Sequence, residues 1–407
     1  MSFKSLIGKI HLWLGLSSGL VVLIVSITGC IYVFQKELRS FFYSSYIHIS
    51  DAEVKSQDIV PASKLLDIAK AQVGTNLNAT FLEIGGNDKA ASVRFYKPNP
   101  QLNDNQFVWY WDKVDYVYTV YINPFSGQVL KVENTKWEIF NLIVQIHTSL
   151  LMGPIGTTII SVSVLVFVIL LLTGIVLWWP NNRKSYKMRT WFRWKPTTKW
   201  KRKNYDLHNI LGFYVLFFAL IISITGLSWS FSWVRDSIVW AGNGGKTEKM
   251  VWPTVKSNFI DKKSEKGIDK AQAELIKTYP NADEILIFMP RDSVASLIGI
   301  VRLTEDVIHS WQYFDQYTGT SLDTLLLDDM PSGERLNMLG YPIHVGSIMG
   351  LPGKITAFFT SLICASLPIT GFLIWWGRRR KSERKPKTKE RPKLTLIPDM
   401  KNSLAEN

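Results

Sequence analysis

Residues 11–34 read HLWLGLSSGLVVLIVSITGCIYVF, and this stretch decides the class of fold. From position 12 to position 34 it contains no Asp, Glu, Lys or Arg, and a helix of about 20 apolar residues crosses the hydrocarbon core of a bilayer. Residues 157–179, 209–233 and 355–376 have the same character, and Trp residues lie at many of the ends, as in an interfacial aromatic belt. The sequence therefore predicts four transmembrane helices.

The positive charge of the chain is concentrated in two segments beside these stretches. The 407 residues carry a net charge of +14, which in a soluble protein would suggest nucleic acid as a partner. Residues 181–206 hold ten Lys and Arg against one Asp, and residues 377–407 hold eleven against four acidic residues. Next to a membrane exit, such segments indicate contact with lipid headgroups and a cytoplasmic location. Nucleic acid is excluded on this ground, and the long segments 36–138 and 234–340 are expected to face outward.

The second half of the sequence repeats the first at an offset of 197 residues. The repeated residues are histidines and Thr-Gly pairs: His11 and Thr28-Gly29 recur as His208 and Thr225-Gly226, and His147 and Thr173-Gly174 recur as His344 and Thr370-Gly371. The chain is therefore interpreted as a duplication in which each half consists of a span, an outer segment and a second span.

Each outer segment carries the signals of a small α+β module. In the first, a helix is predicted over residues 61–72 and strands over 79–86, 91–98 and 117–132, the last stretch being divided by a turn at 124–127. In the second, a helix is predicted over 269–279 and strands over 284–290, 296–303 and 310–323, with a turn around 317–319 in the last stretch. The predicted fold is a mainly α membrane protein with four transmembrane helices in a duplicated two-helix arrangement and two outer α+β domains. The predicted units are 1–35 (helix 1), 36–138 (outer domain), 139–180 (helix 2 with an outer extension), 181–206 (basic cytoplasmic linker), 207–234 (helix 3), 235–340 (second outer domain), 341–377 (helix 4 with an outer extension) and 378–407 (basic cytoplasmic tail).

The four duplicated histidines are the candidate site residues. A single His beside a membrane helix can be an ordinary polar group bonded to backbone or water, and this interpretation stays open for each one. The apolar spans place no Asp, Glu or second His near any of them, so neither a proton relay nor a zinc or di-iron cluster can be built locally.

Histidine pairs across helices fit the axial positions of haem. Neutral imidazole is a usual ligand of haem iron, and two imidazoles saturate the metal and favour electron transfer. We expect His11 to pair with His208 near the cytoplasmic ends of the spans, and His147 with His344 on the outer side. Because no Cys-x-x-Cys-His motif is present, the sequence predicts two non-covalent haem b groups and no other catalytic residue.

The four apolar stretches with their His and Thr-Gly residues, together with YINPFSGQVL at 121–130, resemble the PepSY-associated transmembrane proteins. That family includes iron-regulated membrane proteins and ferric-siderophore reductases. The resemblance implies PepSY-like outer domains, although the second outer segment fits the pattern loosely. It also implies the four histidines as haem ligands and reduction of ferric siderophores or other ferric chelates. The location implied is the bacterial cytoplasmic (inner) membrane, with both termini cytoplasmic and the large loops periplasmic.

Two questions stay open at the level of sequence. No G-x-G-x-x-G motif opens a helix and the cytoplasmic segments are short, so electrons are expected from a membrane quinol or a separate donor protein. The leading alternative function is a non-enzymatic PepSY membrane regulator or chaperone of a protease or iron-uptake system. A transporter is a third interpretation, which the parallel topology of the repeats and the uncharged spans disfavour.

Overall fold

Four long apolar helices form a bundle and confirm the predicted number of spans. The computed structural model describes residues 2–49, 58–86, 88–99, 107–248, 250–259 and 266–383. Within them, four helices are long and apolar enough to cross a membrane: Phe3–Val33, Gly153–Trp178, Trp200–Ser230 and Ser347–Arg379. Most extend beyond the uncharged stretches, because Lys and Arg beside the apolar runs continue the helices.

The spans are built from the following elements. The first is α1 (Phe3–Val33) and the second is α7 (Gly153–Trp178); the third joins α9 (Trp200–Asp206), a π-helical turn (Leu207–Leu211) and α10 (Gly212–Ser230); the fourth is α15 (Gly350–Glu383). In the bundle α1 packs against α7 and α15, and α10 packs against the same two helices. Small residues such as Ser18 and Gly19 of α1 are buried at these contacts, which lets the helix axes approach closely.

Shorter helices connect the spans to one another and to a sheet. They are α2 (Gln35–Phe42), α3 (Ser44–Ile47), α4 (Ala62–Val73), α5 (Tyr110–Lys113), α6 (Ile139–Ser149), α8 (Arg183–Thr190), α11 (Ser232–Gly242), α12 (Lys266–Thr278), α13 (Ser332–Met338) and α14 (Gly340–Val345). Of these, α6 and α14 carry two of the candidate histidines.

All of the named strands belong to one antiparallel sheet. The strands are β1 (Ala79–Gly85), β2 (Ala91–Pro98), β3 (Val114–Ile122), β4 (Val129–Asn134), β5 (Glu284–Phe288), β6 (Leu297–Thr304), β7 (Val307–Phe314) and β8 (Ser321–Leu326). Their order in space is β4-β3-β2-β1-β5-β6-β7-β8. The strands and the two helices α4 and α12 agree with the predicted elements, within a few residues at each end.

The sequence predicts two separate outer domains, whereas the structure joins their strands into a single sheet. Strands β1 and β5, one from each half, pair directly, with Leu82 opposite Ile287. Helices α4 and α12 cover one face of this sheet, and buried side chains such as Leu65, Leu82 and Leu275 form a shared core. A strand pattern does not reveal which edge strand will pair with another module, so this junction could not be read from the sequence.

Charged side chains fasten the sheet to the bundle. The Lys354 side chain is only 2% exposed and lies between two carboxylates. Two ion pairs join the β6–β7 turn to the helices: Lys36–Asp306 (2.9 Å) and Lys354–Glu305 (2.5 Å). Two more join helices beside them: Lys354–Glu37 (2.6 Å) and Arg39–Glu138 (2.5 Å). Three of these four pairs involve α2, which follows the first span in the chain. Loss of one partner would leave a buried charge unpaired, which is strongly destabilising.

Candidate functional site

The structure brings the four candidate histidines together in two pairs. The ring centroids of His11 and His208 are 6.4 Å apart, and those of His147 and His344 are 6.3 Å apart. The planes within each pair are nearly perpendicular, at 89° and 74°. Each pair takes one histidine from each half of the duplication, so the partners are those that the sequence leads us to expect.

The pairs lie at opposite ends of the bundle, each in its own cavity. We call the cavity with His11 and His208 the terminus-side cavity, because it lies at the end of the bundle where α1 begins and α15 ends; its volume is about 500 Å³. The cavity with His147 and His344 is the sheet-side cavity, of about 280 Å³. Val22 and Phe167 line both cavities, so a thin apolar layer separates them.

Every one of these histidines is hydrogen-bonded to a threonine of the duplicated Thr-Gly pairs. The Nδ1 to Oγ1 distances are 2.9 Å for His11 and Thr173, 3.0 Å for His147 and Thr28, 2.9 Å for His208 and Thr370, and 3.0 Å for His344 and Thr225. The histidine and its threonine always come from the same half of the chain. Each half therefore contributes two equivalent His-Thr units, one to each end of the bundle.

The hydrogen bonds of the threonines decide the tautomer of the histidines. Each threonine hydroxyl donates to a carbonyl of its own helix, as Thr28 does to Ile24 at 2.8 Å and Thr225 to Ile221 at 2.9 Å. Its oxygen must therefore accept from the imidazole. The same Nδ1 also faces a carbonyl three residues before the threonine, that of Val25 in the case of His147, at 3.0 Å. A carbonyl cannot donate, so Nδ1 carries the proton and the lone pair resides on Nε2.

The glycine after each threonine makes room for the imidazole. A Cβ atom on Gly226 would lie 3.2 Å from Cε1 of His344, and one on Gly29 would lie 3.3 Å from Cε1 of His147. The corresponding distances are 3.3 Å from Gly371 to His208 and 3.6 Å from Gly174 to His11. The sequence reveals the repeated Thr-Gly pair, and the structure gives its role: the threonine orients the ring while the glycine lets it lie against the helix.

Local breaks in the helices place the sheet-side histidines. Segments that contain glycine and proline follow His147 and His344, and the helices are interrupted there. Helix α6 ends at Ser149, Leu150 and Leu151 adopt left-handed conformations with φ of 50° and 61°, and α7 begins at Gly153. In the other half, Gly346 and Gly350 take φ of 81° and 62° between α14 and α15. The chain can then fold back, and His147 and His344 point into the bundle.

A different local feature places the terminus-side pair. His208 lies in the π-helical turn Leu207–Leu211, whereas His11 lies in regular helix. A single π turn inside an α-helix is uncommon and is frequent at functional sites. Its extra residue per turn changes the direction in which His208 points. Nothing in the residue pattern of the sequence indicates this turn.

The linings of the two cavities differ in charge. Lys4 and Arg378 line the terminus-side cavity. Among the described residues that line the sheet-side cavity none is an acid, a lysine or an arginine, and hydroxyl groups dominate its polar part: Ser26, Tyr32, Thr148, Thr157, Ser161, Ser163, Ser223, Ser230, Thr360 and Ser361. Sequence reasoning missed Lys4, Arg378 and Tyr32, because their approach to the cavities depends on how the helices pack.

Four other cations, Lys9, Arg39, Arg335 and Lys354, are close enough to the membrane in sequence to be candidate neighbours of a cofactor. The structure places none of the four in the lining of either cavity. Arg39 pairs with Glu138, Lys354 with Glu37 and Glu305, and Arg335 with Asp328 at 3.4 Å. The roles of these three residues are structural.

The histidine pairs suit a metal that receives its remaining ligands from a macrocycle. The described residues contain no group of three or more His, Cys, Asp or Glu that could hold an ion alone. A metal–nitrogen bond of about 2 Å to Nε2 would place each imidazole centroid about 3.2 Å from the metal, so two opposed rings would be about 6.4 Å apart. The observed separations of 6.4 and 6.3 Å agree with this value.

The fold and the duplicated site define a membrane protein with four spans and a half-buried histidine pair near each end of the bundle. A family model described as the PepSY-associated TM region matches residues 9–378. The chain belongs to this family, as the resemblance of its apolar stretches predicts. No curated protein matches the sequence.

Proposed function

We propose that the protein is a di-haem b membrane oxidoreductase that passes electrons across the bilayer and reduces ferric chelates on the side of the sheet. The observation that carries this proposal is the geometry of the two histidine pairs. Four Nδ1–H groups are held by threonine oxygens, and the ring separations match those of two imidazoles on one metal.

The residues of the chain would hold, orient and shield the cofactor. The pairs His11–His208 and His147–His344 would supply the axial ligands, and the threonines fix the ring orientation and raise the basicity of Nε2. Haem held in this way supplies a one-electron carrier with no open coordination position. The apolar walls of both cavities keep water away from these positions.

The charge distribution supports an orientation. The basic linker 181–206 and the end of α15 lie at the end of the bundle that holds the terminus-side cavity, and by the positive-inside rule this end would face the bacterial cytoplasm. Lys4 and Arg378 in this cavity suit the carboxylates of a haem. The sheet then lies in the periplasm, where it provides a surface large enough to meet a bulky ferric siderophore.

The proposed reaction is the transfer of one electron from the protein to a ferric chelate. With the two histidines of a pair held against the haem, the chelate would accept this electron at the protein surface and become ferrous. Ferrous iron binds hard oxygen donors less tightly than ferric iron, and the chelator releases it. The electron would enter at the cytoplasmic end from a membrane quinol or a separate donor.

The first test is a cofactor count on the full chain. Protein produced with ample haem and purified in detergent should give two b-type haems per chain in a pyridine haemochrome assay. His11→Ala and His208→Ala should affect the same spectral component, and His147→Ala and His344→Ala the other one. A chain that stays free of haem would overturn the proposal and favour the non-enzymatic regulator.

The second test concerns the direction of electron flow. The protein is placed in sealed vesicles with the sheet outside, reduced, and mixed with an impermeant ferric siderophore and an external ferrous trap. We expect rapid reoxidation together with ferrous iron outside. Haems that stay reduced against a range of ferric chelates would contradict the reductase activity even if the cofactor count is two.

A further inference from the structure

Two carboxylates from different halves of the chain meet at the centre of the sheet. Glu83 of β1 and Glu284 of β5 lie on adjacent strands, diagonally across the register in which Glu83 is opposite Leu286. Side chains at this diagonal lie on the same face of the sheet and within reach of each other. Two neighbouring carboxyls disfavour ionisation of both at once, so one of them holds its proton to a higher pH than an isolated glutamate.

The surroundings of the pair are polar and well ordered. Ser92, opposite Glu83 on β2, donates its hydroxyl to Oε2 of Glu83 at 3.2 Å. Arg302, opposite Glu284 on β6, forms an ion pair with it. The charged or titratable groups that act on the pair from the elements around it are Arg302 of β6, Tyr121 of β3 and Lys36 of α2. Arg302 balances the charge of one ionised carboxylate, Glu284, and the second carboxyl, Glu83, is the one that binds and releases a proton.

This face of the sheet is turned toward the bundle. The core side chains Leu82 and Ile84 point to the helices that cover the sheet, so Glu83 between them points to the opposite face. On that face, Tyr121 contacts Tyr46 of α3, with ring centroids 4.9 Å apart. The carboxyl pair therefore lies between the sheet and the outer ends of the spans.

Two tyrosines connect this region to the sheet-side cavity. Arg302 acts electrostatically on Tyr341, and the hydroxyl of Tyr341 interacts with that of Tyr32, which lines the cavity. Tyr341 lies one turn before His344 on α14, and the ring of Trp229 contacts both of them, at 6.4 Å and 5.1 Å. Arg302, which pairs with Glu284, thus acts on a tyrosine that lies one helical turn from a sheet-side histidine.

We propose that Glu83 and Glu284 form a proton-binding site that takes up one proton from the external solvent when the sheet-side metal centre is reduced and releases it when that centre is oxidised. This inference rests on the proposed function. The electron comes from the donor, the iron changes from ferric to ferrous, and the proton comes from external water to the carboxyl pair. An added negative charge in a low-dielectric bundle favours a proton nearby, because the Coulomb interaction there is weakly screened. When the electron passes to the ferric chelate, the proton returns to the water.

The pKa of Glu83 lies near neutral pH, as uptake and release of a proton at this site require. Burial raises the pKa of Glu83 to about 7, and the charge of Glu284 acts in the same direction. The group can therefore gain or lose its proton near neutral pH. Physiological changes of the local charge are then sufficient to move the proton.

The test is a redox titration of the haem-loaded protein between about pH 5.5 and 8.5. A site that binds one proton with one electron lowers a midpoint potential by up to 59 mV per pH unit, the equivalent of a tenfold change in proton concentration. We expect one of the two potentials to show such a slope near neutral pH and Glu83→Gln to abolish it. The matched control is Glu133→Gln, which removes a carboxyl from β4 near Arg39 and should keep the slope.

A second measurement separates failure of this inference from failure of the proposed function. Infrared spectra of the protein without haem should show a protonated carboxyl band that titrates near neutral pH and is absent in Glu83→Gln. If the band titrates and the protein binds no haem, the proton site exists and the reductase proposal is wrong. If two haems bind but neither the potential nor the band changes in Glu83→Gln, the proton site is wrong.

Discussion

At the residue scale, the decisive feature is the repeated His-Thr-Gly contact. The histidines and the Thr-Gly pairs are visible in the sequence as a duplication, and the pairing of histidines across the halves follows from topology. The partner of each histidine could not be predicted, because a threonine 119 or 162 residues away becomes a neighbour only when the helices pack. The hydrogen bond from Nδ1–H to the threonine fixes both the tautomer and the orientation of the ring, and so determines where the lone pair of Nε2 points.

Thr28→Val tests the orienting role of the threonine. Valine keeps the shape but cannot accept the Nδ1–H of His147, and loss of such a partner weakens metal binding by about 10- to 100-fold. Haem titration of the unloaded protein should show weaker binding at the sheet-side site and unchanged binding at the other. Thr157→Val is the control, since Thr157 lines the same cavity but bonds the Gly153 carbonyl of its own helix at 3.2 Å. Equal binding by both variants would contradict this role.

Lys4→Ala tests the charge of the terminus-side cavity. Removal of a cation beside the haem carboxylates should lower the midpoint potential of that haem by roughly 20–40 mV, a modest value because Lys4 is exposed and its charge is screened. The other haem should keep its potential. Lys9→Ala, which changes an exposed lysine of the same helix outside the cavity lining, should leave both unchanged. A shift of similar size in Lys9→Ala would show only a general surface-charge effect.

At the scale of elements, the breaks before the second and fourth spans are what bring histidines back into the bundle. The Gly-Pro composition predicts an interruption there, since both residues disfavour continuous helix. The left-handed backbone of Leu150 and Leu151 was not predictable, because nothing local favours it in leucine. Packing around α5 imposes it: the Leu151 carbonyl accepts from the backbone N–H of Tyr110, and its side chain packs in the same cluster.

The equivalent glycines of the two breaks offer a matched comparison. Gly153 and Gly350 have φ of 55° and 62°, but a Cβ on Gly153 would lie 2.9 Å from the Val108 carbonyl oxygen, whereas one on Gly350 meets nothing within 4 Å. Gly350→Ala should cost about 1 kcal/mol of stability from backbone strain alone. Gly153→Ala should cost about 1–3 kcal/mol more and weaken sheet-side haem binding. Thermal unfolding and haem titration in detergent measure both variants. Equal losses of stability in the two variants would contradict a clash with the Val108 carbonyl as the cause.

At the scale of the whole molecule, duplication produces one sheet, one bundle and two sites. The four spans were predictable because uncharged apolar runs of this length are rare outside transmembrane helices. The junction of the halves was not, since β1 and β5 pair through main-chain groups that any strand possesses. This junction brings Glu83 and Glu284 together, and it makes the stability of the outer sheet depend on pH.

The sign of that dependence follows from the raised pKa of Glu83, which burial moves from an ordinary value of 4.5 to about 7. Below pH 4.5 the carboxyl is protonated in both the folded and the unfolded chain, so it has no effect. Between about pH 4.5 and 7 the unfolded chain ionises first, and this group's contribution lowers stability as the pH rises, by about 3 kcal/mol at most; above pH 7 the loss is constant.

Glu83→Gln cannot ionise, so its melting temperature should exceed that of the natural protein at pH 8 and approach it at pH 5. Calorimetry of the unloaded protein in detergent measures the difference, and Asp323→Asn, which removes an exposed carboxyl from β8 of the same sheet, is the control. A Glu83→Gln protein whose advantage is the same at both pH values would show that the carboxyl ionises normally and that its burial carries no proton linkage.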